Sequence, residues 1–373
     1  MVKRKLFWVA SVVLPALVCA PAFNTTSRAD NGPNHRVRNL RFGVSGGNVN
    51  DATRRFCCSG TLGALLIDNV GTQYILSNNH VLGLGGSAVA GQDVSQPGLI
   101  DSNCQVATVV ADFTLAPAME PSNVDAAIAQ LRPGTMDPTG FIEDIGVPSG
   151  TTVNPAVGMS VAKSGRTTGF TTGSISSVNT TVNVQYAVSC GSGKKFTVNY
   201  TNQVVINSST FSAGGDSGSL IVTNNSAHNP VALLYAGSSS ATIGNPINEV
   251  LTRLGSALGR PLSFVGLGGG NFAESFDATS PDGARPFLPE VAQMPELPEQ
   301  AVEHASRTLD QHRGELMSRP SVVGVGVGRS DRNEAEAAII VYVDKTAGAR
   351  GQLPRTIDGL RVQVVETDPF VAF

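Results

Sequence analysis

The chain is short of charge. Charged residues make up 15%, and 26 basic against 29 acidic side chains leave a net charge of −3. No basic field is available for nucleic acid or an anionic membrane surface. Cysteines number five and histidines five. Cys57 and Cys58 are the one close-spaced cysteine pair, so the paired spacing of a zinc cluster is missing. No other metal or cofactor constellation stands out. The apolar run Leu6–Ala20 counts about 15 residues, short of the roughly 20 that cross a bilayer. What is plentiful is glycine, at 41 residues, with much Thr, Val, Ser and Asn. That composition favours a β-rich globular protein over a helical bundle or a disordered chain.

Basic residues at Lys3, Arg4 and Lys5 precede the apolar run, and small-residue sites follow at Val18–Ala20 or Ala20–Ala22. Residues 1–22 therefore read as a secretory signal, and membrane contact would come only through this segment if it stayed uncleaved. Cys19 lacks the small residue before it that a lipoprotein would carry. Four cysteines remain, Cys57, Cys58, Cys104 and Cys190. An even count in an exported chain suggests two disulfides, with Cys57 and Cys58 dividing Cys104 and Cys190 between them in either order.

Residues 23–40 read as a polar leader. From 41 to 265, short apolar runs alternate with Gly, Pro and Asn, as in a sandwich or barrels. Pro246–Leu258 is apolar at Ile247, Val250, Leu251, Leu254 and Leu258. It reads as an amphipathic helix with Asn245 as its cap and Pro246 as its first residue. Residues 266–298 are rich in Gly and Pro and read as a linker. Beyond them charge rises, marking a small α+β domain over 299–373 with a helix Glu299–Met317 and three strands. The alternating glycines of Ser321–Gly328 lie within a strand, where they suggest close packing rather than a dinucleotide loop. Gly158–Ser164 lacks the glycine before lysine that a phosphate loop requires.

Phe211-Ser-Ala-Gly-Gly-Asp-Ser-Gly-Ser-Leu220 holds a serine between glycines. In a tight turn the amides of Gly215 and Ser217 would converge where an oxyanion could develop. A serine needs a base, and His35, His228, His304 and His312 lie in the leader, a turn or the tail helix. His80 lies just past a hydrophobic strand, in Ser77-Asn-Asn-His-Val81. Asp125 enters an apolar strand, where a carboxylate requires a partner. Asp112 is its rival but follows its strand and could face solvent. Asp216 suits a structural ion pair beside the serine.

In that order and context, His80, Asp125 and Ser217 resemble the triad of the chymotrypsin-fold, trypsin-like serine proteases. The stretch Val161–Ile175 is similar to a bacterial subgroup related to the plant narrow-leaf proteins, and the tail's Gly-Val-Gly-Val-Gly strand and Ile357–Val362 resemble a module seen beside that subgroup. The resemblance covers about residues 41–262. It implies an all-β core of two packed antiparallel six-stranded β-barrels, at about 41–148 and 155–265, beside the C-terminal α+β domain. It further implies a secreted, periplasmic or cell-surface endopeptidase without cofactor or metal, acting on protein or peptide substrates. Ser217 would be nucleophile, His80 base and Asp125 its orienting partner, with Gly165 and Arg166 structural. Phe211 would form the floor of the substrate pocket and Ala236, Gly237 and Ser238 one wall, favouring uncharged side chains. Two alternatives accompany this reading: a catalytically silent protease-fold binding protein, and a protease held latent by its C-terminal domain.

Overall fold

The computed structural model describes residues 40–267, 295–347 and 353–373. The expected signal, the leader up to residue 39 and most of the Gly/Pro-rich segment lie outside the described residues. Among those described, no helix is long and apolar enough to cross a membrane.

The first barrel contains β1 (Val44–Asn48), β2 (Gly60–Leu62), β3 (Ala64–Asp68), β4 (Gln73–Ser77), the one-turn helix α1 (Asn79–Leu82), β5 (Asp93–Gln96), β6 (Thr108–Leu115), the short helix α2 (Met119–Ser122) and β7 (Ala127–Leu131). Hydrogen-bonded neighbours run β3-β4-β7-β6-β5-β1-β2. Since β2 passes straight into β3 through Gly63, the two ends of this order meet, and six strands close on themselves. Closure removes the sheet edges and fixes the loops between strands.

The second barrel repeats the device. It contains β8 (Ser160–Gly165), β9 (Gly169–Ser174), β10 (Ser177–Ala187), β11 (Lys195–Ile206), β12 (Leu220–Thr223), β13 (Pro230–Gly237) and β14 (Thr242–Pro246). The order is β10-β11-β14-β13-β12-β8-β9, and β9 bends into β10, so six strands again form the ring. The expected pair of antiparallel six-stranded barrels is present. Helix α3 (Ile247–Leu258) and β15 (Leu262–Phe264) follow, and β15 returns to pair with β3 of the first barrel. Ile247, Val250 and Leu254 on α3 are fully buried in the first barrel's core, each worth about 1.5–3 kcal/mol. The cap of this helix differs from expectation. Pro246 is the N-cap with no side-chain hydrogen bond, because Asn245 is still in β14 and uses its amide elsewhere.

Beyond lie α4 (Glu299–Met317), β16 (Val322–Arg329), β17 (Ala337–Asp344), β18 (Thr356–Ile357), β19 (Leu360–Thr367) and β20 (Phe370–Ala372). Strand β16 pairs with β10, so this α+β unit extends the second barrel's sheet. The glycines of β16 permit it: a Cβ on Gly326 would lie 2.3 Å from Thr180 Oγ1. Helix α4 buries Ala305, Leu309 and Leu316 in the core shared with that barrel.

The disulfide pairing is Cys57–Cys104 and Cys58–Cys190. The first closes a loop within barrel one. The second ties that barrel to the β10–β11 turn of the other.

Candidate active site

His80 stands on α1, immediately after β4, and Asp125 just before β7, the neighbour of β4 in the sheet. His80 Nδ1 lies 2.6 Å from Asp125 Oδ2, and the His80 amide donates to Asp125 Oδ1 at 3.1 Å. The carboxylate is wholly buried, whereas the imidazole is 16% exposed. Tyr186 on β10 donates its hydroxyl to Asp125 Oδ2 at 2.9 Å, and Tyr200 on β11 meets Tyr186 at 2.9 Å. The Asp125 backbone is clamped as well: its amide donates to Asn245 Oδ1 and its carbonyl accepts from Asn78 Nδ2. A buried carboxylate is costly unless its oxygens are satisfied, and here they are. Burial opposes a charge on His80, but attraction to Asp125 and its hydrogen bond outweigh it and raise the pKa above 6.5.

Ser217 enters from the other barrel, in the turn before β12. Gly215 has φ +98° and Gly218 φ +94°, conformations that glycine takes without strain. Asp216 pins the turn by accepting from the amides of Ala213 (3.0 Å) and Thr167 (2.7 Å). It also faces Lys163 Nζ at 3.3 Å, with both side chains fully buried. Ser219 folds back to donate to Asp216 O at 2.6 Å. Across the cleft, Thr61 donates its amide to Ser217 O and its hydroxyl to Gly215 O. Within the described residues the amides of Gly215 and Ser217 donate no hydrogen bond. Ser217 Oγ donates to Tyr235 O at 3.1 Å, and His80 Nε2 lies 3.1 Å from Phe373 O.

The other expected residues fall as follows. Ala236 and Gly237 form the end of β13, and Ser238, directly after it, bonds Thr367 through its hydroxyl at 2.6 Å. Phe211 is fully buried in the second barrel's core, onto whose margin Phe373 packs. Asp112 is far from this pair, held by Arg132 at 2.6 Å. His312 on α4 meets Asp358, and His304 shares that helix. His228 occupies the β12–β13 turn, and His35 lies outside the described residues. Arg166 forms a buried pair with Asp101 at 2.6 Å, and a Cβ on Gly165 would strike Ser219 Oγ at 2.3 Å. Asp51 sits near Cys58 and Cys190, but those sulfurs are bonded to each other and offer no thiolate to a metal. Tyr186 and Phe373 left no signal as site residues in the sequence, and Lys163, a cation following Val161 and Ala162, left a signal without a legible partner.

No hydrogen bond joins Ser217 to His80 among the described residues, since Ser217 Oγ meets Tyr235 O and His80 Nε2 meets Phe373 O. Two closed six-stranded barrels, one carrying a His–Asp pair and the other a glycine-flanked serine, are the architecture of the chymotrypsin-fold serine proteases. The chain belongs to peptidase family S64, whose model matches residues 58–256. Solved structures similar to it include a glutamic acid-specific serine protease, at 21% identity, a TM-score of 0.42 and coverage of 60% of this chain and 100% of that one. Protease A of Thermobifida fusca follows at 19% identity, a TM-score of 0.39 and coverage of 60% and 98%. Cellulomonas bogoriensis chymotrypsin stands at 16%, 0.39, and 60% and 97%. The search of curated proteins found no match. None of these comparisons bears on the link to the plant narrow-leaf proteins, which rests on the sequence resemblances of Val161–Ile175 and the tail.

Proposed function

We propose that this protease is an exported serine endopeptidase working through His80, Asp125 and Ser217. The observation that carries the reading is the 2.6 Å contact of His80 Nδ1 with the fully buried Asp125 carboxylate. It fixes the ring, and Phe373 links the two halves of the reading: its oxygen lies 3.1 Å from His80 Nε2 and its amide shares the Tyr235 carbonyl with Ser217 Oγ. Ser217 Oγ attacks the peptide carbonyl carbon while its proton passes to His80 Nε2. The carbonyl π pair moves onto oxygen, which the Gly215 and Ser217 amides receive at about 3 kcal/mol per donor. Collapse breaks the C–N bond, and His80 returns the proton to the leaving amine. Water then attacks the acyl-enzyme by the same route in reverse, releasing the acid and restoring Ser217.

Export is supported by the basic-apolar start of the chain and by two disulfides, which persist in oxidising compartments. The silent-binder alternative would leave Ser217 unreactive. A fluorophosphonate probe on the secreted protein tests this. Labelling of wild type that disappears in Ser217→Ala and in His80→Ala is expected. Labelling that survives Ser217→Ala, or none in wild type even after prolonged exposure, rejects the triad.

A further inference from the structure

We propose that Phe370–Phe373 is an intramolecular peptide ligand of the cleft, seated as the acyl side of a substrate with Phe373 at the scissile position. The protein thereby holds itself inactive, and the emptied cleft takes peptides with an aromatic side chain at that position. This rests on the triad reading above and adds its regulation and substrate class.

Four contacts carry it. Strand β20 pairs antiparallel with the end of β13, Val371 opposite Gly237 and Ala372 opposite Ala236. The Phe373 amide donates to Tyr235 O at 3.3 Å, the same carbonyl that accepts from Ser217 Oγ. The Phe373 main-chain oxygen faces His80 Nε2 at 3.1 Å. Its ring lies against the bare face of Gly237, where a Cβ would stand 2.4 Å from Cζ. An extended segment laddered onto one wall, with its last carbonyl at the His–Asp pair, is how strand addition presents a peptide.

The segment is also held on its other side. Phe370 and Val371 pair parallel with Val184 and Gln185 of β10, leaving no free edge for a second peptide. Phe370 is fully buried and meets the Tyr342 ring edge-on at 5.8 Å. Asp368 is tied to Lys345 at 2.8 Å and to the Ser239 hydroxyl. The base is disarmed as well as covered. Both ring nitrogens of His80 face oxygen acceptors, Asp125 Oδ2 and Phe373 O, so both donate only when the ring is a cation, which cannot accept the serine proton. A tethered segment acts at about millimolar effective concentration, so even a weak intrinsic affinity fills the cleft.

The test compares full-length wild type, Phe373→Asp and the conservative Phe373→Tyr. Labelling of Ser217 by fluorophosphonate is expected to be about tenfold faster or more in Phe373→Asp, as for a site about one-tenth open in wild type. Phe373→Tyr should label as slowly as wild type, and acetyl-Phe-Val-Ala-Phe added in trans should slow Phe373→Asp again. Equal labelling rates for all three, still lost in Ser217→Ala, would sink the inference and leave the triad standing. A separate readout covers the opposite case: anisotropy of dye-labelled Phe-Val-Ala-Phe should show binding to Phe373→Asp and not to wild type. If nothing labels yet that peptide binds the variant alone, the ligand reading stands and the triad falls. No peptide binding to the variant overturns the ligand reading.

Discussion

His80 Nε2 lies 3.1 Å from the main-chain oxygen of Phe373, a residue 293 positions further along the chain. A base from barrel one thus meets β20, a strand paired to β10 and β13 of barrel two. The consequences are thermodynamic as well as chemical, because each group here was removed from water and must be compensated.

The pH dependence follows from His80. Its pKa is raised above 6.5 because Asp125, and to a lesser degree Phe373 and Asp51, favour the cation against the burial penalty. Pairing therefore stabilises the fold fully below the unfolded value near 6.5, and that contribution is lost as pH rises through the higher folded value. Activity has the opposite sign, since the neutral ring accepts the serine proton. The NMR titration of the His80 ring in the wild type, with Phe373 in place, should inflect above 6.5. An inflection below that value would contradict the geometry.

Lys163 and Asp216 form a fully buried pair beneath the serine turn. Burial lowers the Lys163 pKa, and the nearby Asp216 charge offsets part of that loss. Lys163→Met strands the carboxylate and should cost about 3–5 kcal/mol by urea unfolding. Lys163→Met with Asp216→Asn removes the stranded charge and should cost less than the sum of the two single changes. Strict additivity would show that the pair is not coupled.

The two disulfides should differ in weight. Cys58–Cys190 closes 132 positions and Cys57–Cys104 closes 47. By loop-closure entropy, replacing the first pair by serine should destabilise by about 1 kcal/mol more than replacing the second. Chemical denaturation of the two double variants measures the difference. Equal losses would mean that residual structure in the unfolded chain already holds the barrels together.

Much of the barrel architecture was legible because its strands are short, apolar and closed by turn residues. The helix Glu299–Met317 appears with the boundaries its pattern predicts. The long hairpin β10–β11 was only half legible. Its outer portion is rich in Asn and Thr, which hides an alternating apolar face: Val182, Val184 and Tyr186 on β10 are buried with Val198 and Tyr200 on β11, and that face sets the register. Asn245 misled for a related reason: a good helix cap by residue type, it is recruited instead by the Asp125 amide and Gln203.

By itself the sequence determined which side chains could do the chemistry. A histidine after a strand, a carboxylate entering one and a serine among glycines carry local signatures, because each needs a particular backbone. Only the tertiary structure decided who partners whom. Tyr186 reaches Asp125 from the opposite barrel, Lys163 reaches Asp216 across β8 and β12, and Cys58 chooses Cys190. The seat of Phe373 in the cleft belongs to the same class. Such contacts join residues far apart in the chain, and their energy depends on closure of the barrels and on burial, which no local pattern of residues encodes.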